Sequence, residues 1–396
     1  MLTLFACNRQ EPAPEETPDN TEEIIDVDVP MSEIETEPLE TEPPVVYNTS
    51  FVSCGDNIIY YGNVRDAKAA AIPGGRTYNF MPAYTSIKDY VASFDIAYIN
   101  QETLMCGEGY ELSYYPMFNG PQDLAYDLVE VGFDVINIAN NHMLDKGGDG
   151  LQKTIDFWKT MPVTLIGGYS NKAEYDNVPI IERNGIKIAL LSYCEMTNGL
   201  TIAAKYDTYI PYLGEADFKA HVNSVKDKCD IIVASVHWGQ ENVYTPNDAQ
   251  KTWAKQMADA GIDVILGHHP HVIQPIEWIK GENGNETLCA YSLGNFMAEM
   301  AAAGNMVGGF LSFDITKVEG ESATVDNVLF EPTVFHFPSN FYNNHIYFMK
   351  DYSEDLAAVH GVRTYYKKPI NFDMLKGIVR DTISEEFLPE HFKSES

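Results

Sequence analysis

Six polar clusters in this 396-residue chain follow apolar runs without a gap, and each is made of groups that bind cations or move protons. Phe51-Val52-Ser53-Cys54 leads into Gly55-Asp56-Asn57, and Ile96-Ala97-Tyr98-Ile99 into Asn100-Gln101-Glu102. Val135-Ile136-Asn137-Ile138-Ala139 is followed by Asn140-Asn141-His142, with Asp145 and Gly147 close behind. The run ending at Val236 gives His237-Trp238-Gly239 and then Glu241; the run ending at Leu266 gives Gly267-His268-His269-Pro270-His271. A last run, Leu288-Cys289-Ala290-Tyr291, precedes Ser292-Leu293-Gly294-Asn295-Phe296.

Imidazole and carboxylate suit Zn, Mn or Fe, and a side-chain amide oxygen can complete their coordination. Five of the ten histidines fall in these short segments. Taken singly, Gly55-Asp56 reads as a turn, Asn140-Asn141-His142 as a helix cap, and His237-Trp238-Gly239 as an aromatic corner. Gly-His-His-Pro-His is more specific, because clustered neutral imidazoles after a buried strand have little structural use. In an extended His269-Pro270-His271 the two imidazoles alternate across the backbone. Bent after a strand end, each could face a different ion of a pair, with a carboxylate such as Glu102 as the bridge. Two ions about 3.5–4 Å apart are a common device for hydrolysing phosphate or amide bonds.

These clusters must be held by the elements around them. Apolar runs alternating with amphipathic stretches predict strands at 50–54, 95–99, 134–138, 163–166, 178–182, 186–193, 230–236, 263–266, 273–279, 287–292 and 308–314. Helices are predicted at 84–93, 121–131, 148–159, 215–228 and 247–260. The alternation argues for an α/β domain with buried, partly parallel sheets, whose strand ends are where ligands bind. The runs after 270 leave no room for helices and predict antiparallel strands closing a second sheet. Residues 340–396 read as a peripheral, mostly helical appendage.

With 58 Asp and Glu against 26 Lys and Arg, the formal charge is −32, and nucleic acid is excluded as a partner for want of clustered cations. Residues 8–47 hold thirteen acidic side chains and seven prolines against one basic residue, Arg9. Such a segment buries too little apolar area to offset its ordering entropy, and it predicts an extended, disordered tether. Residues 1–7, ending Leu4-Phe5-Ala6-Cys7, resemble the end of a bacterial lipoprotein signal. The expected organisation is a lipid-anchored Cys7, the 8–47 tether, a domain over 48–339 and the 340–396 extension. Such a protein is extracytoplasmic, held at the cell surface by its lipid. The other cysteines, Cys54, Cys106, Cys194, Cys229 and Cys289, show no metal or disulfide spacing and read as free thiols.

In order along the chain, Gly-Asp, Asn-x-Glu, Asn-Asn-His-x-x-Asp-x-Gly, His-Trp-Gly-x-Glu, Gly-His-His-Pro-His and Tyr-Ser-Leu-Gly-Asn-Phe resemble the bacterial capsule synthesis protein CapA family, also called the poly-γ-glutamate capsule biosynthesis family. The resemblance covers roughly 49–300. It implies a branch of the calcineurin-like metallophosphoesterases, an αββα sandwich of two sheets between helices. It implies metal ligands at Asp56, Glu102 (bridging), Asn141, His237, His269 and His271, with one or two divalent ions. His142 then assists the leaving group, oriented by Asp145. His268, Asn57, Asn100, Asn140, Glu241 and Asn295 support or shape the pocket. Where the superfamily has a histidine two positions after its first aspartate, this chain has Ile58, so one site is short of a ligand. The implied role is a metal-dependent hydrolase or transferase on poly-γ-glutamate or another anionic envelope polymer, with membrane synthetase subunits as partners. The alternative is a non-catalytic accessory protein that binds, anchors or exports the polymer.

Overall fold

The computed structural model describes residues 43–393; the expected lipid anchor at Cys7 and nearly all of the expected acidic tether fall outside them. Two sheets carry the architecture. The first has the order β14-β13-β12-β1-β2-β3-β4, with β11 beside β1; the second has the order β5-β6-β7-β8-β10-β9. In the first sheet β1 is Val46–Asn57, β2 Ile96–Gln101, β3 Val135–Asn137 and β4 Thr164–Ile166. These four run parallel. The second holds β5 (Ile180–Arg183), β6 (Ile186–Cys194), β7 (Ile231–His237), β8 (Val264–His268), β9 (Ile276–Lys280) and β10 (Glu286–Ala290). Its β6, β7, β8 and β10 are parallel, flanked by antiparallel β5 and β9.

Alternate residues of the second sheet enter different cores. Ile186, Ile188, Leu190, Ile231 and Val233 join the large core shared with the first sheet. Ala189, Leu191, Ile232 and Ala234 face Val222, Ala254 and Met257, on the helices Phe218–Val225 and Asp248–Ala260. The helices Asp123–Val131 and Gly147–Trp158 send Leu124, Leu128, Leu151 and Ile155 into the large core. The expected αββα layering is therefore present. Local chemistry sets the helix ends: Asn247 and Gln250 form a reciprocal capping box, and Gly261 closes the same helix at φ 96°.

The strands after 270 correct the sequence reading. Only β9 and β10 close the second sheet. β11 (Asn295–Met297), β12 (Val307–Val318), β13 (Thr324–His336) and β14 (His345–Phe348) return to the first. β13 escaped prediction because its first half is partly exposed and Pro332 interrupts it. That proline lies just outside the stretch of β13 that β14 pairs. The helix expected at 84–93 is two single turns, Met81–Tyr84 and Lys88–Val91, and the helix Tyr61–Ala69 was not foreseen. The C-terminal residues after β14 are mostly helical, yet Leu375, Val379 and Phe387 enter the large core, so they are not peripheral. Among the described residues no helix is long and apolar enough to cross a membrane. The five described cysteines are free thiols.

Candidate metal centre

The parallel strands of both sheets end at the same side of the sandwich, with Asp56 at the end of β1, Glu102 just beyond β2, His237 closing β7 and His268 closing β8. The β1 end is fixed by close backbone approach. A Cβ on Gly55 would lie 1.9 Å from the Gly294 carbonyl oxygen, the same oxygen that accepts the Asp56 N–H at 2.9 Å. After β8 the chain bends sharply: His269 has φ 97° and His271 φ 56°, left-handed conformations that cost energy for any residue with a side chain. The bend turns both imidazoles to one side, which extended backbone would forbid.

Asp56 is fully buried. Its Oδ1 accepts from Asn100 Nδ2 at 2.8 Å and its Oδ2 from the His269 N–H at 3.1 Å. His268 Nδ1 lies 3.3 Å from Oδ1 and His271 Nδ1 3.2 Å from Oδ2. Glu102 is 1% exposed, yet among the described residues neither carboxylate oxygen has a hydrogen-bond partner. Its Oε1 instead faces His237 Nε2 at 3.7 Å, His271 Nε2 at 3.8 Å and His142 Nε2 at 3.9 Å. His237 Nε2 also lies 2.9 Å from Asn141 Oδ1 and 3.1 Å from His269 Nδ1. A buried carboxylate without a donor is costly to keep. Donor atoms of Asp56, Glu102 and His237 converge, as do those of Glu102, His269 and His271, so Glu102 is common to two triads. Carboxylate, imidazole and amide oxygen around an unpaired anion fit one or two divalent cations.

The electrostatics divide the imidazoles: burial acts downward on His271, but Glu102 and Asp56 prevail and raise it to about 10, whereas His237 and His269 are lowered. Burial pushes the Glu102 carboxyl well up, opposed by His271 and assisted by Asp56. Burial also acts upward on Asp56, but the His268 and His271 imidazoles beside it prevail and hold it well below the usual carboxylate range. His269 is pushed down to about 3 by burial and by His271, and His237 is pushed well down by burial and by His269. Both imidazoles are therefore neutral at pH 7, the form that ligates metal.

Beside this cluster His142 Nδ1 bonds Asp145 Oδ2 at 2.8 Å, and the same oxygen accepts the Phe118 N–H at 2.6 Å. The Phe118 ring stands edge-on to the imidazole at 4.7 Å. The other expected residues fall into place unequally. Asn295 Oδ1 lies 3.0 Å from His271 Nδ1. His268 is tied by Nε2 to the Tyr98 hydroxyl at 3.0 Å. Asn140 shapes the turn, its Oδ1 accepting the His142 N–H at 2.9 Å. Asn57 is bonded to Gln101. Glu241 is exposed, and only its charge reaches Glu102 and His271. Ile58 packs with Phe118 and Ala298 in a small apolar cluster and supplies no donor.

Sequence reasoning missed the residues behind the first ring of donors. Asn198 Oδ1 accepts from Asn141 Nδ2 at 3.3 Å, which turns the Asn141 oxygen toward His237. Asn137 donates to Asn100 at 2.8 Å and accepts from Ser192 at 2.6 Å. Asn137 carried a signal, a lone amide inside an apolar strand; Asn198 carried none.

The profile of the family described as "Bacterial capsule synthesis protein PGA_cap" matches residues 50–300. The chain is similar to "PGA biosynthesis protein CapA" of Bacillus subtilis (strain 168), with 38% identity over 174 residues, 43% of this chain and 44% of that protein. It is similar to "Capsule biosynthesis protein CapA" of Bacillus anthracis, with 34% identity over 172 residues, 42% of this chain and 41% of that protein. The chain thus spans less than half the length of these curated relatives. Among solved structures it is similar to the NAD nucleotidase of Haemophilus influenzae, at 14% identity and TM-score 0.45 over 87% of this chain and 57% of that one. By the family match over most of its folded length, the chain belongs to the bacterial capsule synthesis protein PGA_cap family.

Proposed function

We propose that this protein is a metal-dependent hydrolase or transferase acting on a γ-linked glutamyl polymer of the cell envelope. The observation that carries the reading is the buried, unpartnered Glu102 carboxylate ringed by imidazoles, with the His142–Asp145 pair beside it. Asp56, Glu102, Asn141, His237, His269 and His271 hold the ions in this reading, and bound divalent ions supply Lewis acidity and a nucleophile at neutral pH. Asp145 accepts the His142 Nδ1–H and so leaves Nε2 turned toward the cluster, where it hands a proton to the departing group. Phe118 keeps water from the flank of that imidazole. An accessory protein that only binds polymer needs no such oriented imidazole, which favours catalysis over the accessory role.

Surface attachment through Cys7 is part of the same proposal, supported by Leu4-Phe5-Ala6-Cys7 and the acidic segment after it. The deciding assay incubates the metal-loaded protein with poly-γ-glutamate and, separately, with an aryl phosphodiester. Shortening or transfer of the polymer that is lost in His142→Ala supports the reading. Polymer binding without any bond change, in wild type as in the variant, assigns the accessory role instead.

A further inference from the structure

Beside the metal centre lies a cavity of about 540 Å³ with an unusual lining. Seven tyrosines contribute to it, Tyr60, Tyr61, Tyr114 and Tyr342 among them, and among the described residues its only charged lining groups are Arg65 and Glu299. Tyr60 joins it to the cluster: its ring meets Phe118 edge-on at 5.2 Å, and Phe118 in turn meets His142. Tyr60 also feels the charges of Glu102 and Glu241.

Arg65 is half-buried, stacked over the Tyr342 ring at 4.5 Å and bonded to the Asn340 carbonyl. Its Nε is buried without a partner. Of the nearby carboxylates, Asp66 and one oxygen of Glu299 are engaged by backbone N–H groups: Asp66 accepts from the Asn343 and Asn344 N–H groups, and Glu299 Oε2 from the Gly62 N–H at 2.9 Å. In a chain with more than twice as many acidic as basic side chains, this guanidinium makes no ion pair among the described residues. Glu299, 6% exposed, leaves its Oε1 without a partner. A stacked, pre-oriented guanidinium is a receptor for a carboxylate, and tyrosines give rigid contact area at low entropic cost.

We propose that this cavity is a substrate subsite that seats a γ-linked glutamyl unit next to the reacting bond, its free α-carboxylate on Arg65 and its methylenes and amide plane against the tyrosines. The proposal rests on the polymer reading above. A neutral sugar ring would stack on the same tyrosines but would leave the guanidinium desolvated and unpaired. The cavity's near-neutral lining also relieves the repulsion that the acidic surface imposes on a polyanion elsewhere.

Isothermal titration calorimetry on the full-length, metal-loaded protein tests this with a synthetic γ-glutamyl pentamer and the same pentamer amidated at its α-carboxyls. The free acid is expected to bind about tenfold tighter or more, the scale of a charge-assisted bidentate contact. Arg65→Gln should erase that preference, and Tyr61→Ala should weaken both pentamers. Should Arg65→Gln fail to fold, Arg65→Lys is read in its place, since it keeps the charge and loses the planar fork. Its affinity should fall by about threefold or more. Free-acid binding as tight in the Arg65 variant as in wild type overturns the subsite alone. Tighter binding of a neutral chito-oligosaccharide overturns it in favour of a glycan site. Wild type that binds no pentamer overturns the polymer reading, and the subsite with it.

Discussion

Glu102 stands at the end of β2 with neither oxygen bonded, while three imidazole nitrogens face it between 3.7 and 3.9 Å. Glu102→Gln keeps the shape and removes the charge that both donor triads share. Metal affinity should fall by at least about tenfold, read by competition with a chromogenic chelator; unchanged affinity would place the ions elsewhere. His142 is a different kind of residue, held by Asp145 and touching the cluster only through Nε2. His142→Ala should keep the metal and the melting temperature while turnover falls roughly 10²–10⁴-fold, the range of a lost acid–base group. An unchanged rate would reduce His142 to a structural neighbour. The donors were legible because each is a polar residue ending an apolar run. Asn198 and Phe118 were not, since they reach the site through tertiary contact from segments without a pattern of their own.

The elements that aim these residues depend on backbone proximity and on a buried acid. β1 and β11 approach so closely at Gly55 that a methyl group has no room beside the Gly294 carbonyl. Gly55→Ala should cost about 2 kcal/mol or more and weaken metal binding together with stability, measured by chemical denaturation and chelator competition. Intact stability would show that β11 yields without cost. The helix Tyr61–Ala69 begins against Glu299, whose carboxyl burial lifts to about 8, opposed by the Gly62 N–H and Arg65 and assisted by Asp66. Tyr114 and Tyr366 lie on its other sides. A carboxyl whose folded value exceeds its unfolded value contributes stability that is full below about 4.5 and lost as pH rises toward 8. Glu299→Gln should flatten that loss and melt about 2 °C higher at pH 8, followed by circular dichroism. A melting curve as steep as wild type between pH 5 and 8 would contradict it. The parallel strands were readable as short apolar runs. β13 and β14 were not, because Pro332 and exposed polar positions mask them and only their neighbours in the first sheet define them.

At the scale of the molecule, two sheets meet so that their carboxyl-end strand termini converge, and the C-terminal segment completes the structure. β14 pairs with β13, and Leu375, Val379 and Phe387 fill the large core. A chain ended after residue 339 should therefore be poorly soluble or melt well below the full chain, whereas a detachable appendage would leave a folded remainder. Order and chemistry of the strand ends could be read from the sequence, since parallel strands place successive polar termini on one side. The return of β12–β14 to the first sheet could not, because pairing partners more than two hundred residues apart leave no local pattern. In the proposed reading, the whole arrangement serves to hold a divalent cation. The most direct test is metal content by mass spectrometry after loading with Mn, Zn or Fe and removing free ions, for wild type and for the double variant His269→Ala, His271→Ala. Wild type should retain at least one ion per chain and the double variant less than about a tenth of that. A wild type that retains none, or a double variant that keeps its full complement, would contradict the metal centre.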